Sequence, residues 1–300
     1  MDIAFVAAGL VLLLFGGGWL VAGAVGLAAR LGLSPLVIGV TLVGMGTSMP
    51  ELLTSLRAAW AGAPDIALGN VVGSNTANVL LILAVAALVA PMVVKRGALL
   101  RDGLVLLAIS AACTVWIVAG GGLGRAGGLV FLAGLAAWLV WQVRTGSAEE
   151  AAEALPAGRA TLSFAVGLVG VLAGAELLVR GAIALARDMG VSEAVIGLTI
   201  VAVGTSLPEL ATSAVAARKG QGDVALGNVL GSNVFNLLGI LGATAALSPL
   251  VAAPRFATLD LPVMLAATVA VLILGARGRI GRLAGAVLLV GYGAYLATML

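Results

Sequence analysis

The chain has 300 residues, 62% of them hydrophobic and 10% charged, and its mean hydropathy of +1.20 excludes a soluble globule, which could not hide so much apolar surface in one core. The net charge of +3 comes from lysines and arginines scattered singly between apolar runs, which argues against a nucleic-acid surface. One cysteine, Cys113, and no histidine leave neither a disulfide framework nor a thiolate or imidazole metal site.

An all-α multi-pass membrane protein remains. A bilayer core about 30 Å thick needs roughly 20 apolar residues per helix, and cutting the chain at its charges and turn residues predicts ten spans. They lie near 3–29, 36–59, 66–90, 102–119, 126–143, 161–186, 194–217, 224–247, 258–275 and 281–299. The first begins straight after Met1-Asp2, without a basic leader or small-residue cleavage pattern, so no removable signal peptide is expected.

The second span is interrupted by GTSMPE at 46–51. Pro50 lacks a backbone N–H and crowds the preceding turn, which predicts a helix opened around Gly46 with carbonyl oxygens freed at mid-span. Such backbone is tolerated at membrane depth only when it is buried in protein or lines a wet cavity. Thr47 and Glu51 share a face at i, i+4, and so do Ser74 and Asn78 on the third span. Asn70 and Asn75 read as caps or cross-links between helices, and Asp65 as a solvated turn residue. Asp102 opens the fourth span, where a helix N-terminus accommodates an anion. The polar stretch 144–160, RTGSAEEAAEALPAGRA, is a linker. In the sixth span Glu176 has Arg180 one turn later and reads as its partner.

The seventh and eighth spans repeat the second and third. GTSLPE at 204–209 brings Thr205 and Glu209; Ser232 and Asn236 follow, with Asn228 and Asn233 as further cross-links and Asp223 as a turn residue. Residues 37–83 match 195–241 at 29 of 47 positions without a gap, and the same shift of 158 carries Gly9 to Gly167 and Asp102 to Asp260. The chain therefore reads as two five-span halves, 1–143 and 161–300, joined by 144–160. An odd number of spans makes the halves inverted, an architecture in which discontinuous helices build one site near the midplane. With the N-terminus outside, 11 of the 16 Lys and Arg residues fall on cytoplasmic loops, which selects that orientation, with both termini extracytoplasmic and the linker cytoplasmic.

Hydroxyl, amide, carboxylate and main-chain oxygen, with no nitrogen or sulfur ligand, suit Ca²⁺ or Na⁺. Each mid-span carboxylate costs about 2.5–3.5 kcal/mol on insertion scales, a cost that a bound cation offsets. Helix packing alone would account for single glycines and serines, but not for a glutamate beside a helix-breaking proline, twice. A passive channel would use the same oxygens, though the inverted repeat argues against it. A hydrolase built on Ser48 or Ser206 lacks a nearby base, so no enzyme is expected.

GTSMPE with GNVVGSNTAN, and GTSLPE with GNVLGSNVFN, resemble the two alpha-repeats of the cation/Ca²⁺ exchanger superfamily, in its Na⁺/Ca²⁺ exchanger branch. The resemblance spans nearly the whole chain. It implies a four-helix core from spans 2, 3, 7 and 8, long spans 1 and 6 that slide past it, and Ca²⁺ and Na⁺ competing for one cluster. By motif position Glu51 and Glu209 would bind calcium through carboxylates, and Thr47 and Thr205 through main-chain carbonyls. Ser48, Ser206, Ser74 and Ser232 would add sodium ligands, with the carbonyls of Gly44 and Ala202 nearby and Asn78 and Asn236 closing the cluster. Some members carry Asp where this chain has Asn236, which places the site charge on the two glutamates and disfavours K⁺ cotransport. The resemblance implies a Ca²⁺-for-Na⁺ antiporter of the cell membrane, with Ca²⁺/H⁺ exchange at the same glutamates as the alternative. Its partners would be the two ions and the lipid bilayer, with no cofactor, nucleic acid or obligate protein partner.

Overall fold

The computed structural model describes residues 2–146, 155–190 and 202–298. It is built of helices: α1 (Asp2–Leu31), α2 (Pro35–Thr47), α3 (Met49–Trp60), α4 (Pro64–Val89), α5 (Arg96–Gly120), α6 (Arg125–Thr145), α7 (Ala157–Asp188), the single turn α8 (Ala202–Gly204), α9 (Leu207–Arg218), α10 (Gly222–Leu247), α11 (Phe256–Gly275) and α12 (Arg282–Ala297). Among the described residues seven helices are long and apolar enough to cross a bilayer, or eight if α2 and α3, bent by 44°, form one span. The apolar α12 is shorter, and the part of the seventh expected span at 194–201, like linker residues 147–154, lies outside the described residues.

The partition of side chains is that of a membrane protein. Phe15, Trp19, Leu53 and Trp60 face outward, whereas Thr47, Ser48, Glu51, Asn78, Ser206, Glu209 and Asn236 are buried. Polar groups inside and apolar groups outside follow when the surroundings are hydrocarbon.

Small residues set the helix spacing. Gly9, Gly16 and Gly23 recur every seven residues along α1, and Gly167, Gly174 and Gly181 do so along α7. A side chain at Gly23 would meet the Phe164 backbone at 2.3 Å, and one at Gly167 the Leu20 backbone at 2.2 Å. The two helices thus touch backbone to backbone along a glycine seam, a contact that draws on close van der Waals packing rather than on hydrophobic exclusion. The second close approach joins α2 to α10: a Cβ at Gly231 would lie 1.9 Å from the Val40 carbonyl oxygen, and one at Gly44 2.8 Å from the Ser232 nitrogen.

Two short ladders tie the ends together. β1 (Met92–Val93) pairs antiparallel with β4 (Arg279–Ile280), and β2 (Gly122–Leu123) with β3 (Leu250–Val251). Each ladder joins the segment between the third and fourth expected spans of one half to the segment between the fourth and fifth of the other.

Asp102 and Asp260, which the shift of 158 relates, find a different physical setting from the one expected. Helix α5 starts at Arg96, six residues before Asp102, so Asp102 lies in the second turn and not at the N-terminus. Arg101 pairs with it at 2.9 Å, Gln142 donates to it at 3.1 Å, and Arg101 also reaches the Thr145 carbonyl at the end of α6. Asp260 likewise sits inside α11, held by Arg255 at 3.2 Å and the Tyr295 hydroxyl at 2.9 Å, while Arg255 approaches the Thr298 carbonyl. Both acids clamp two helices rather than a helix dipole. Asp223 also departs from expectation: it is half-buried, with the backbone N–H and ammonium of Lys95 beside it. Glu176 and Arg180 form the expected pair on the exposed face of α7.

Candidate cation site

The site grows from two interrupted helices. Ser48 leaves helical geometry at φ −84°, ψ 12°, and Ser206 does the same at φ −90°, ψ 7°. Each proline occupies the second position of the helix that restarts there, where its missing N–H would have had no intrahelical partner. The break therefore falls between the expected opening at Gly46 and Pro50. Glu51 and Glu209 stand in the first turns of α3 and α9, where the helix dipole favours a carboxylate.

The two breaks exchange side chains. Ser48 Oγ donates to Glu209 Oε1 at 2.8 Å, and Ser206 Oγ donates to Glu51 Oε1 at 2.9 Å. Both carboxylates are buried, and each accepts a hydroxyl from the break that carries the other, so the two acids share one buried region. Their hydrogen-bond partners are hydroxyls, not guanidinium or ammonium groups. Two like charges buried together without a basic partner are costly unless a cation joins them.

Asparagines brace the turns. Asn70 Nδ2 donates to the Glu51 carbonyl at 3.1 Å and to Ser55 Oγ at 2.9 Å; Asn228 Nδ2 donates to the Glu209 carbonyl at 3.2 Å and to Ser213 Oγ at 2.9 Å. Asn75 and Asn233 cross-link α4 to α10 through each other's backbone carbonyls at 3.1 and 3.2 Å. Asn78 and Asn236 donate in turn to the side-chain oxygens of Asn233 and Asn75, each at 2.9 Å. The cross-linking role read from the sequence for Asn70, Asn75, Asn228 and Asn233 is the one these bonds display. The serines Ser55 and Ser213 went unread; their signal was the duplicated PELxTS that follows each proline.

The glutamates and the two asparagines that follow the serines leave four oxygens over. Glu51 Oε2, Glu209 Oε2, Asn78 Oδ1 and Asn236 Oδ1 are buried and have no hydrogen-bond partner. They come in two equivalent pairs under the shift of 158, and all are acceptors. A cation of hard character is the complement of such a set. Among the described residues no group of three or more His, Cys, Asp or Glu gathers elsewhere as a metal site.

The other expected ligands are placed unequally. Thr47 Oγ1 bonds to the Val43 carbonyl at 3.0 Å and to Asn228 Oδ1 at 3.1 Å, and Ser232 Oγ donates to the Gly44 carbonyl at 3.2 Å. The Gly44 carbonyl is thus already engaged. Thr205 Oγ1 is buried with no partner, Ser74 is buried in α4, and Ala202 opens the described stretch before Thr205.

Comparison with known proteins agrees with this chemistry. A family model described as sodium/calcium exchanger protein matches residues 1–144 and 159–300. The sodium/calcium exchanger MaX1 of Methanosarcina acetivorans is 38% identical over 342 aligned positions, covering 97% of this chain and 96% of that protein. The inner membrane protein YrbG of Escherichia coli is 34% identical, covering 87% of this chain and 85% of its own. A solved structure of the sodium-calcium exchanger NCX_Mj, soaked with Na⁺ and Ca²⁺, superposes with a TM-score of 0.90 at 34% identity, covering 100% of this chain and 98% of that one.

Proposed function

Because the chain belongs to the sodium/calcium exchanger protein family, a family of multi-pass membrane transporters, we propose that it exchanges Ca²⁺ for Na⁺ across the cell membrane by alternating access. Glu51 and Glu209 hold Ca²⁺ through their carboxylates, with Asn78 and Asn236 completing the cage. Thr47 and Thr205 contribute main-chain carbonyls. Ser48, Ser206, Ser74 and Ser232 join the carbonyls of Gly44 and Ala202 when several Na⁺ replace one Ca²⁺. The observation that carries this reading is the set of four buried, unpartnered oxygens, two carboxylate and two amide, drawn in equivalent pairs from the two copies of one motif.

The same reading takes the chain as ten spans in two inverted halves, 1–143 and 161–300, with the termini outside and 144–160 in the cytoplasm. The two ladders support it: in that topology β1 and β4 both lie at the cytoplasmic end, and β2 and β3 both lie at the outer end, so each hydrogen-bonded pair shares a side. The α1–α7 glycine seam supports a pair of helices that move as a unit past the core. Coupling follows from charge. An empty site would carry two uncompensated carboxylates through a closed, low-dielectric state, so the transition is favoured only when the cage is filled.

A second reading, Ca²⁺/H⁺ exchange, draws on one feature: each carboxylate accepts one serine hydroxyl and keeps a second oxygen on which a proton could reside. Proteoliposomes separate the two. An outward Na⁺ gradient is expected to drive ⁴⁵Ca²⁺ uptake at constant pH, and K⁺ or proton gradients alone are expected not to. Uptake that follows the proton gradient and ignores Na⁺ selects the second reading; Ca²⁺ flux that ignores every gradient selects a channel and ends both.

A further inference from the structure

The asparagines of the core do more than join helices, because an amide has two unlike ends. Asn75 Nδ2 faces the Asn233 backbone carbonyl, and Asn233 Nδ2 faces the Asn75 carbonyl. A carbonyl only accepts, so neither amide can turn over without losing its bond and setting oxygen against oxygen. The side-chain oxygens of Asn75 and Asn233 therefore point the other way, and only a donor can meet them. That donor is the amide nitrogen of Asn236 in one case and of Asn78 in the other, each at 2.9 Å. Once those nitrogens are committed, the oxygens of Asn78 and Asn236 can only face the opposite direction, where both are buried and unpartnered.

The orientation matters chemically. A turned amide would present an NH₂ group to a cation, and would also bring two acceptor oxygens together at the Asn75 or Asn233 contact. We infer that Asn75 and Asn233 are positioning residues which, across the interface between the halves, hold Asn236 and Asn78 with oxygen toward the transported cation and so set the affinity of the site for Ca²⁺. The inference rests on the exchanger reading above and assigns a role to two residues that touch no ion. Each half thereby orients a ligand of the other half.

The full-length protein in proteoliposomes tests it, with the half-saturating Ca²⁺ concentration and the thermal midpoint read in parallel. Asn75→Ala is expected to raise the half-saturating Ca²⁺ by about ten-fold, the scale on which contacting residues couple. In an Asn236→Asp background both terminal atoms at position 236 are oxygens and one of them faces Asn75 Oδ1, so adding Asn75→Ala removes a repulsion and is expected to leave that concentration unchanged or lower it. The mirror cycle, Asn233→Ala with and without Asn78→Asp, is expected to behave alike. A penalty of the same size in both backgrounds, or folded protein lost in both, means that the pair only cross-links helices and overturns the proposal. Wild-type protein that shows no Na⁺-driven Ca²⁺ uptake removes the exchanger reading instead, a result distinct from either outcome of the cycles.

Discussion

At the first break the threonine hydroxyl crosses to Asn228, and Ser232 closes on the Gly44 carbonyl; α2 and α10 meet there with no room for a methyl group. At the second break the same residue types are present, yet Thr205 has a buried hydroxyl without a partner and Asn70, the counterpart of Asn228, is only part-buried. Near-identical motifs thus sit in two different environments within one molecule. The local residues differ where it matters: the shift of 158 puts Ala202 where the first copy has Gly44, at which a Cβ would lie 2.8 Å from the Ser232 nitrogen. Among the described residues the tight contact is the one formed by α2 and α10.

Experiments can break this comparison where it should be equal and sharpen it where it should be unequal. The largest effect tests equality. Glu51→Gln and Glu209→Gln each remove one of the two charges of the proposed cation site, and the loss of one member of a buried ionic group costs about 3–5 kcal/mol, so Ca²⁺ uptake is expected to fall by at least about 100-fold in either variant. Flux assays that find one of them active would show that the halves do not share the ion.

Next comes the tight contact itself. Gly231→Ala introduces a methyl 1.9 Å from the Val40 oxygen, and overpacking of this kind costs about 1–3 kcal/mol. A lowered thermal midpoint, together with a lower flux, is the expected result; an unchanged midpoint would mean that α2 rests farther from α10 than 1.9 Å implies.

The third test is unequal by design. Thr47→Val removes the bond to Asn228 and is expected to lose about 1 kcal/mol of stability, whereas Thr205→Val removes a hydroxyl that makes no such bond to an asparagine and lies near Glu51, and is expected to lose less. Thermal unfolding of both variants in the same ion-free buffer makes the comparison. Equal losses would show that the second break closes as the first one does.

Much of this was legible from the residues. Length and hydropathy mark the helices, and a proline beside a glutamate inside a span marks each break, because both violate what hydrocarbon requires of a helix. Asn70, Asn75, Asn228 and Asn233 were legible as caps or cross-links, since polar groups at membrane depth must satisfy one another; that Asn78 and Asn236 bond to Asn233 and Asn75 was not. Other features were not. The π-helical turns at Gly39–Val43, Asn78–Ile82, Phe235–Ile240 and Phe256–Asp260 had no local signal in residues such as Val, Leu and Ile. Arg255 and Tyr295 around Asp260 stand where the shift of 158 places Gly97 and Ala137, so the repeat carries no signal for these partners. The difference between the two breaks had one local signal, Ala202 in place of Gly44, whose meaning depends on the close approach of α10 that only the structure shows.

The smallest expected effect concerns a tie that only one half can make. Lys219, at the end of α9, donates its ammonium to the Gly18 carbonyl of α1 at 2.9 Å; the shift of 158 relates position 219 to Ala61, which cannot reach any carbonyl. The bond is exposed, so it is worth about 0.2–1 kcal/mol, too little to hold the fold but enough to bias two states of similar energy about two-fold. If α1 moves relative to α9 during exchange, that bond exists in one state only. Lys219→Met would then leave the depth of the Ca²⁺ site unchanged and shift the apparent Ca²⁺ affinities on the two faces in opposite directions by about two-fold, whereas a tie present in both states would leave their ratio unaltered. Measuring half-saturating Ca²⁺ for uptake and for release in the same vesicles decides between them, because only a bond made in one state can move the two values apart.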